Sequence, residues 1–147
     1  MASEATSRDR SAVDWTLLVA RAVVGVIFMA HGAQKLFGAF GGPGLSAVVQ
    51  MMGPLGYLVT VGECFGGLGL VVGFLSRFSA ASIIIIMLGA VATVHGKFGF
   101  FMNWAGNQAG EGFEYHLLAI ATLLPIVIAG PGRFAVGRLL KLAAVLE

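Results

Sequence analysis

Four apolar stretches constrain most strongly what this chain can fold into. They cover residues 15–37, 56–75, 79–94 and 115–128. A helix needs roughly 17 to 25 apolar residues to cross the hydrocarbon core of a bilayer. The first two stretches meet that requirement, and flanking residues can extend the other two. Since 58% of the residues are hydrophobic and 11% are charged, most of the surface cannot face water. The sequence predicts an all-α integral membrane protein, a bundle of four spanning helices.

Composition excludes several other classes of protein. The formal net charge is only +2, whereas disordered chains combine low hydrophobicity with high net charge. Cys64 is the single cysteine, so no disulfide framework can form within the chain. The few cations suit a membrane topology better than a basic surface for nucleic acid, and we expect no nucleic-acid partner.

The positions of the cations predict three segments and a topology. We expect a cytoplasmic polar N-terminus over 1–14, the membrane domain over 15–130, and a cytoplasmic tail over 131–147 that forms a short interfacial helix. With the N-terminus inside, the cytoplasmic side holds six cations and the outer side two. These are Arg8, Arg10, Arg77, Arg133, Arg138 and Lys141 inside, and Lys35 and Lys97 outside. Both termini are therefore predicted to be cytoplasmic, with the first helix as an uncleaved signal anchor.

The connections between the stretches differ in length. A turn of about four residues around Ser76 and Arg77 predicts an antiparallel hairpin. The outer connection before it is rich in Gly and Pro, and we expect a short helix over 47–52. The outer loop over 97–114 contains Phe98, Phe100, Phe101 and Trp104, which suits an interfacial belt or a lid. Pro125 is expected to kink the fourth helix or to open its hydrogen-bond ladder.

Glycines predict how the helices pack. Gly62, Gly66, Gly69 and Gly73 recur at spacings of four, three and four, so they form one face of the second spanning helix. Such a face allows a neighbouring backbone to come very close. Gly25 and Gly32 on the first helix are the expected partners of that face.

Polar and ionisable residues inside the apolar stretches are the functional candidates, because each is costly in a bilayer unless it is paired or hydrated. The first helix carries Arg21, His31, Gln34 and Lys35, and the second carries Glu63. His95 ends the third helix and His116 begins the fourth, next to Glu114. The sequence thus predicts that all three histidines and Glu63 converge in the outer half of the bundle.

Several short motifs resemble the DoxX family of small bacterial four-helix membrane proteins, which includes DoxD-type subunits. They are HGAQKLFG after Arg21 and Gly25, then GECFGGLGLVVG, GFEYHLL and GPGRF. The resemblance implies a component of redox systems in the bacterial cytoplasmic (inner) membrane, linked to quinone or to the response to oxidative stress. Its pattern matches Arg21, Gly25, His31, Gly32, Lys35, Glu63, Gly67 and Glu114. After GPGR the family shows an Asp-containing run, which Ala135, Val136 and Gly137 replace here.

The leading hypothesis is a membrane subunit that binds or reduces quinone between helices. We predict that Glu63, His31 and Lys35 form the catalytic set, with Glu63 carrying protons. The predicted cofactor-binding residues are Arg21, Phe28, Gln34, Phe65, Glu114 and His116. In this hypothesis the two phenylalanines wall the quinone ring, while Glu114 and His116 complete a proton route to the outer face.

Other interpretations stay open. Glu63 could simply pair with Lys35, His31 or Arg21 and fix the register of two helices, and Arg21 could extend towards Asp14 at the inner interface. The chain could be a non-catalytic anchor for soluble oxidoreductases or an accessory subunit of a larger respiratory or photosynthetic complex, and it could self-associate into a homo-oligomer. A haem b between His31 and either His95 or His116, and a metal held by His95, His116, Glu114 and Glu111, are weaker alternatives. Whether the chain is an enzyme at all is left open.

Overall fold

The computed structural model describes residues 2–141 and 145–147, with the side chains of 2–8 excepted. Its longer helices follow the apolar stretches. They are α1 (Ala2–Phe37), α2 (Gly44–Met52), α3 (Leu55–Val72), α4 (Ser76–Ala90), α5 (Glu114–Ala129) and the single turn α6 (Val136–Leu139). A π-helical turn (Val91–His95) and a 3-10 turn (Gly96–Phe98) prolong α4, and a 3-10 turn (Ala39–Gly41) follows α1. The described residues form no strand, so the all-α prediction is confirmed.

Within the described part of the chain, three helical segments are long and apolar enough to cross a bilayer, namely Asp9–Phe37, Leu55–Val72 and Ser76–Phe98. The fourth, Glu114–Ala129, has 16 residues and is about 24 Å long at about 1.5 Å per residue, less than the hydrocarbon thickness of about 30 Å. The prediction of several membrane-spanning helices is therefore confirmed, whereas a fourth complete span stays a prediction. The helix continues through Pro125.

The bundle has two distinct ends. We call the end with segments 38–54 and 99–113 the loop end, and the opposite end, with residues 73–75 and 130–137, the tail end. Between them the helices enclose an apolar core that includes Phe28 of α1, Leu70 of α3, Ile83 of α4 and Leu123 of α5, each at most 1% exposed. This core fixes the helices around one centre.

Small residues bring α1 and α3 into backbone contact. A Cβ added at Gly32 would overlap the backbone of Cys64, and one at Gly67 would overlap Met29. The predicted glycine face behaves differently. Gly62, Gly66 and Gly69 lie against Ile86, Ile83 and Ser79 of α4. The expected pairing of that face with Gly25 and Gly32 is wrong, because α3 uses glycines on two sides to contact two helices.

The segment after α5 folds back over the tail end. Trp15 and Phe134 pack with ring centroids 4.6 Å apart, and Asp14 Oδ1 accepts a hydrogen bond from the Arg133 amide at 2.9 Å. Pro131 and Ala135 are buried. The predicted interfacial helix is thus reduced to one turn. The start of the tail packs against α1 through Trp15 and Asp14 instead of lying along a membrane surface. Part of that prediction, residues 142–144, lies outside the described residues.

Candidate functional site at the loop end

An ion pair joins α1 and α3 near the loop end. Lys35 Nζ lies 2.5 Å from Glu63 Oε2, and the two side chains are 24% and 5% exposed. Gly32 precedes Lys35 by one helical turn and Cys64 follows Glu63, so the backbone contact between the two helices brings these side chains together. Of the three partners expected for Glu63, the structure selects Lys35.

Three aromatic rings lie beside each other at the same end. Phe28, His31 and Tyr115 form a triangle with centroid distances of 6.5 Å between Phe28 and His31, 6.4 Å between Phe28 and Tyr115, and 6.2 Å between His31 and Tyr115. Phe28 is buried, whereas His31 is exposed on the surface of the bundle. His31 precedes Lys35 by about one helical turn on α1, and Tyr115 belongs to α5. The triangle therefore links the ion pair to the junction of α1 and α5.

Two buried hydroxyls near Glu63 have no hydrogen-bond partner among the described residues. They are Tyr115 Oη and Thr60 Oγ1. Thr60 is fully buried and precedes Glu63 by three residues, so the two share one face of α3. Buried polar atoms usually have a partner. Both oxygens are enclosed by the bundle, so each is a buried polar atom without a partner among the described residues.

An apolar groove runs from the aromatic triangle along the junction of α1 and α5. Its volume is about 440 Å³. The walls are Val19, Ala20, Val23, Val24, Ile27 and Phe28 of α1, with Tyr115, Leu118, Ala119 and Thr122 of α5. Since α1 and α5 form part of an apolar bundle, this groove would face the lipid of a membrane.

The other histidines form a second cluster. His95 and His116 have ring centroids 4.2 Å apart, and His95 Nδ1 is 2.8 Å from the carbonyl oxygen of Glu111. Glu114 Oε1 accepts hydrogen bonds from the Met102 amide at 2.9 Å and from Trp104 Nε1 at 3.2 Å. These contacts hold the loop over 99–113. The predicted convergence is therefore split into two clusters, with Tyr115 between His31 and His116.

Glu114 points to the loop, which separates it from the histidine pair with which it was expected to bind a metal. Residues 9–141 and 145–147, whose side chains the structure describes, contain no group of three or more His, Cys, Asp or Glu placed to hold a metal ion. The weaker alternative of a metal at His95, His116, Glu114 and Glu111 thus has no three-donor geometry.

Arg21 lies at the tail end and is 1% exposed. It donates hydrogen bonds to the carbonyl oxygens of Leu70 at 2.7 Å, Val71 at 2.8 Å and Phe134 at 2.7 Å. The expected extension towards Asp14 is wrong, because carbonyls at the C-terminus of α3 attract the cation. Arg21 and Lys35 are fourteen helical positions apart, which is about 21 Å. Arg21 was predicted to bind the cofactor, but it lies outside the loop-end site.

The remaining predicted site residues lie apart from one another. Phe65 is 58% exposed, so it does not form a common wall with the buried Phe28. Gln34 is half-buried and lies against Gly42 in the connection to α2. Two residues of this end, Tyr115 and Thr60, were not predicted as candidates from the sequence. Tyr115 stands inside the GFEYHLL motif, whereas Thr60 gave no signal beyond being a polar residue in an apolar stretch.

Known proteins supply a second line of evidence. The sequence model of the DoxX family matches residues 16–96. Inner membrane protein YqjF of Escherichia coli (strain K12) is 31% identical over 131 residues, which cover 87% of this chain and 94% of that protein. No solved structure matches the chain. The matched residues include the helices that carry Lys35 and Glu63, and the chain belongs to the DoxX family.

Proposed function

We propose that the chain is a membrane component of a redox system and that it binds quinone at the loop-end site. The observation that carries the proposal is the position of Tyr115. Tyr115 lines the apolar groove, and its buried hydroxyl has no hydrogen-bond partner among the described residues. Quinone needs hydrogen-bond donors at two carbonyl oxygens and an apolar slot for its ring. Tyr115 Oη and a ring N–H of His31 are donors on two helices that border the groove.

Glu63 is the proton carrier in this proposal. Reduction of quinone to quinol consumes two electrons and two protons. The electrons come from a partner oxidoreductase, since the proposed site supplies only donors and acceptors of protons. The Lys35 ammonium donates a hydrogen bond to the Glu63 carboxylate, so the pair holds a proton that it can exchange. In this proposal the pair delivers that proton towards the quinone, while Tyr115 and His31 hold the ring by hydrogen bonds.

The first test compares two tyrosine variants. Tyr115→Phe removes only the unpartnered hydroxyl, so we expect an unchanged or slightly higher unfolding temperature and about tenfold weaker binding of a ubiquinone analogue. Tyr57→Phe is the matched control, because Tyr57 is 52% exposed on α3. Titration of the purified protein with the analogue measures both affinities. Equal affinity in wild type and Tyr115→Phe would contradict the proposal.

A second test addresses the proton role. In membranes that contain the native partners, Glu63→Gln should abolish quinone-dependent turnover while the protein still folds, because Gln cannot carry a proton. Full turnover in this variant would exclude Glu63 as the carrier.

The alternative function is a non-catalytic anchor that docks oxidoreductases or joins a larger complex. One observation favours it. Phe37, Phe40 and Trp104 at the loop end are between 75% and 88% exposed, which suits an interface with a membrane or a protein. The glycines do not add to this alternative, because Gly25, Gly32, Gly62 and Gly67 contact helices of the same chain. An anchor would co-purify with its partners and bind no quinone.

A further inference from the structure

The N-terminus of α4 binds a carboxylate from far along the chain. The Leu75 amide donates a hydrogen bond to Glu147 Oε1 at 2.5 Å, and the Ser76 hydroxyl donates to Glu147 Oε2 at 3.4 Å. Although it carries a charge, Glu147 is only 5% exposed. The first amides of a helix have no partner within it, and the positive end of the helix dipole attracts an anion. Glu147 therefore caps α4.

The residue before Glu147 adds two main-chain hydrogen bonds. The carbonyl oxygen of Leu146 accepts from the amides of Arg77 at 3.1 Å and Phe78 at 3.4 Å. Helices are usually capped by a polar side chain just before their first residue, and the apolar Leu75 cannot supply one. We call residues 145–147 the clasp, because they take over this role and tie the tail to α4.

The clasp buries little apolar surface. Val145 is 78% exposed and Leu146 is 38% exposed. The apolar core around Leu70 and Ile83 does not include them. A segment with few buried apolar contacts opens locally at a lower free energy than the whole fold. The clasp can therefore leave α4 without separating the helices.

Gly137 provides the space for the clasp. A Cβ at this position would overlap the carboxyl group of Glu147. The Gly137 amide donates to the Gly73 carbonyl oxygen at 2.8 Å, so the backbone here is fixed against the turn between α3 and α4. Gly137 lies in the helical turn α6, where alanine would ordinarily be favoured over glycine. The missing side chain thus serves the clasp and not the local backbone.

We propose that residues 145–147 are a releasable clasp. The clasp opens and closes at the tail end while the helices stay packed, and the Glu147 carboxylate closes it. In the closed form the first amides of α4 are bonded to the clasp, and in the open form they face water. This device goes beyond the proposed function, because it lies at the end of the bundle opposite the proposed quinone site.

Native-state amide hydrogen exchange of the full chain in detergent measures the opening. The reporters are the amides of Arg77 and Phe78, which bond to the clasp, and the amide of the fully buried Ile83 reports on the core. In wild type the two reporters should exchange at least about tenfold faster than Ile83, at a rate that low denaturant concentrations leave unchanged. If all three amides exchanged at one rate with the same dependence on denaturant, the clasp would open only on unfolding, and the proposal would be overturned.

Two variants release the clasp from different segments. Glu147→Ala removes the carboxylate, and Gly137→Ala displaces it with a methyl group. Each should speed exchange at Arg77 and Phe78 by about tenfold or more, because the amides lose charge-assisted or adjoining hydrogen bonds. Exchange at Ile83 should stay within about twofold of wild type, since the opening is local.

Val145→Ala is the matched control, because Val145 belongs to the clasp but its side chain is exposed. It should leave both reporter amides within about twofold of wild type. The unfolding temperature identifies a variant that does not fold, and the other releasing variant then carries the test. If the folded releasing variants exchange no faster than the control, Glu147 does not close the clasp.

Discussion

Arg21 and Phe134 are 113 positions apart in the sequence, and a 2.7 Å hydrogen bond joins the Arg21 guanidinium to the Phe134 carbonyl oxygen. The same guanidinium donates to the carbonyls of Leu70 and Val71, close to the C-terminus of α3. The last four carbonyls of a helix have no partner within it. Arg21 therefore donates hydrogen bonds to carbonyl oxygens of two segments, α3 and the tail. These bonds make it a structural link between α1, α3 and the tail.

Replacing Arg21 should destabilise the protein without directly altering the loop-end site. In Arg21→Met three carbonyls lose their donor in a site that is 1% exposed, and we expect the free energy of unfolding to fall by about 3 kcal/mol or more. Arg21→Lys should lower the free energy of unfolding by less, since the lysine ammonium keeps the charge but cannot bond to all three carbonyl oxygens. Chemical denaturation in detergent measures both values.

Arg138→Met is the control for Arg21→Met, because Arg138 is exposed on the single turn after the buried Ala135. Its effect should stay within about 0.5 kcal/mol. If Arg21→Met were no more harmful than Arg138→Met, the three hydrogen bonds would not stabilise the fold.

The Lys35–Glu63 pair predicts an asymmetric pair of effects. In Lys35→Met the Glu63 carboxylate, which is 5% exposed, loses its cation. We expect the free energy of unfolding to fall by about 3 kcal/mol. Glu63→Met should lower the free energy of unfolding by only about 1 kcal/mol, because Lys35 is 24% exposed and can extend to the polar surface. The double variant should be more stable than Lys35→Met alone. A double-mutant cycle measures this coupling, and simple additivity of the two effects would contradict it.

Sequence periodicity predicted the helices because apolar length is a local property. The stretch over 15–37 lies within α1, and the stretch over 115–128 within α5. A membrane helix satisfies its own backbone hydrogen bonds, so its limits depend mainly on the residues it contains. The short helix expected over 47–52 also exists, three residues longer at its start.

The pairing of side chains was harder to predict because it depends on which helix faces which. Three partners were open for Glu63, and only the contact of Gly32 with Cys64 selects Lys35. The role of Arg21 depends on a residue far along the chain, because the tail folds back and places the Phe134 carbonyl oxygen beside the Arg21 guanidinium. Tyr115 gave a weak signal for the same reason, since its neighbours His31 and Phe28 lie on α1.

Two glycines on different helices should respond oppositely to alanine. A methyl group at Gly32 would overlap the Cys64 backbone, which cannot move without separating α1 from α3. We expect Gly32→Ala to lower the free energy of unfolding by about 1 to 3 kcal/mol. Gly89 lies within α4 and a Cβ there would meet no atom within 4 Å. Gly89→Ala should therefore stabilise by about 0.5 to 1 kcal/mol. Unfolding temperatures compare the two, and equal effects would contradict close contact at Gly32.

The loop over 99–113 should become mobile when Glu114 is replaced. Trp104 is 88% exposed, so the hydrogen bond of its Nε1 to Glu114 restrains the ring more than packing does. In a Trp15→Phe background, Glu114→Ala should lower the fluorescence anisotropy of Trp104 and speed amide exchange at Met102. Glu111→Ala is the control, because it removes a different bond, from the Asn103 amide, and should change Trp104 less. Unaltered anisotropy in Glu114→Ala would mean that the carboxylate does not hold this loop.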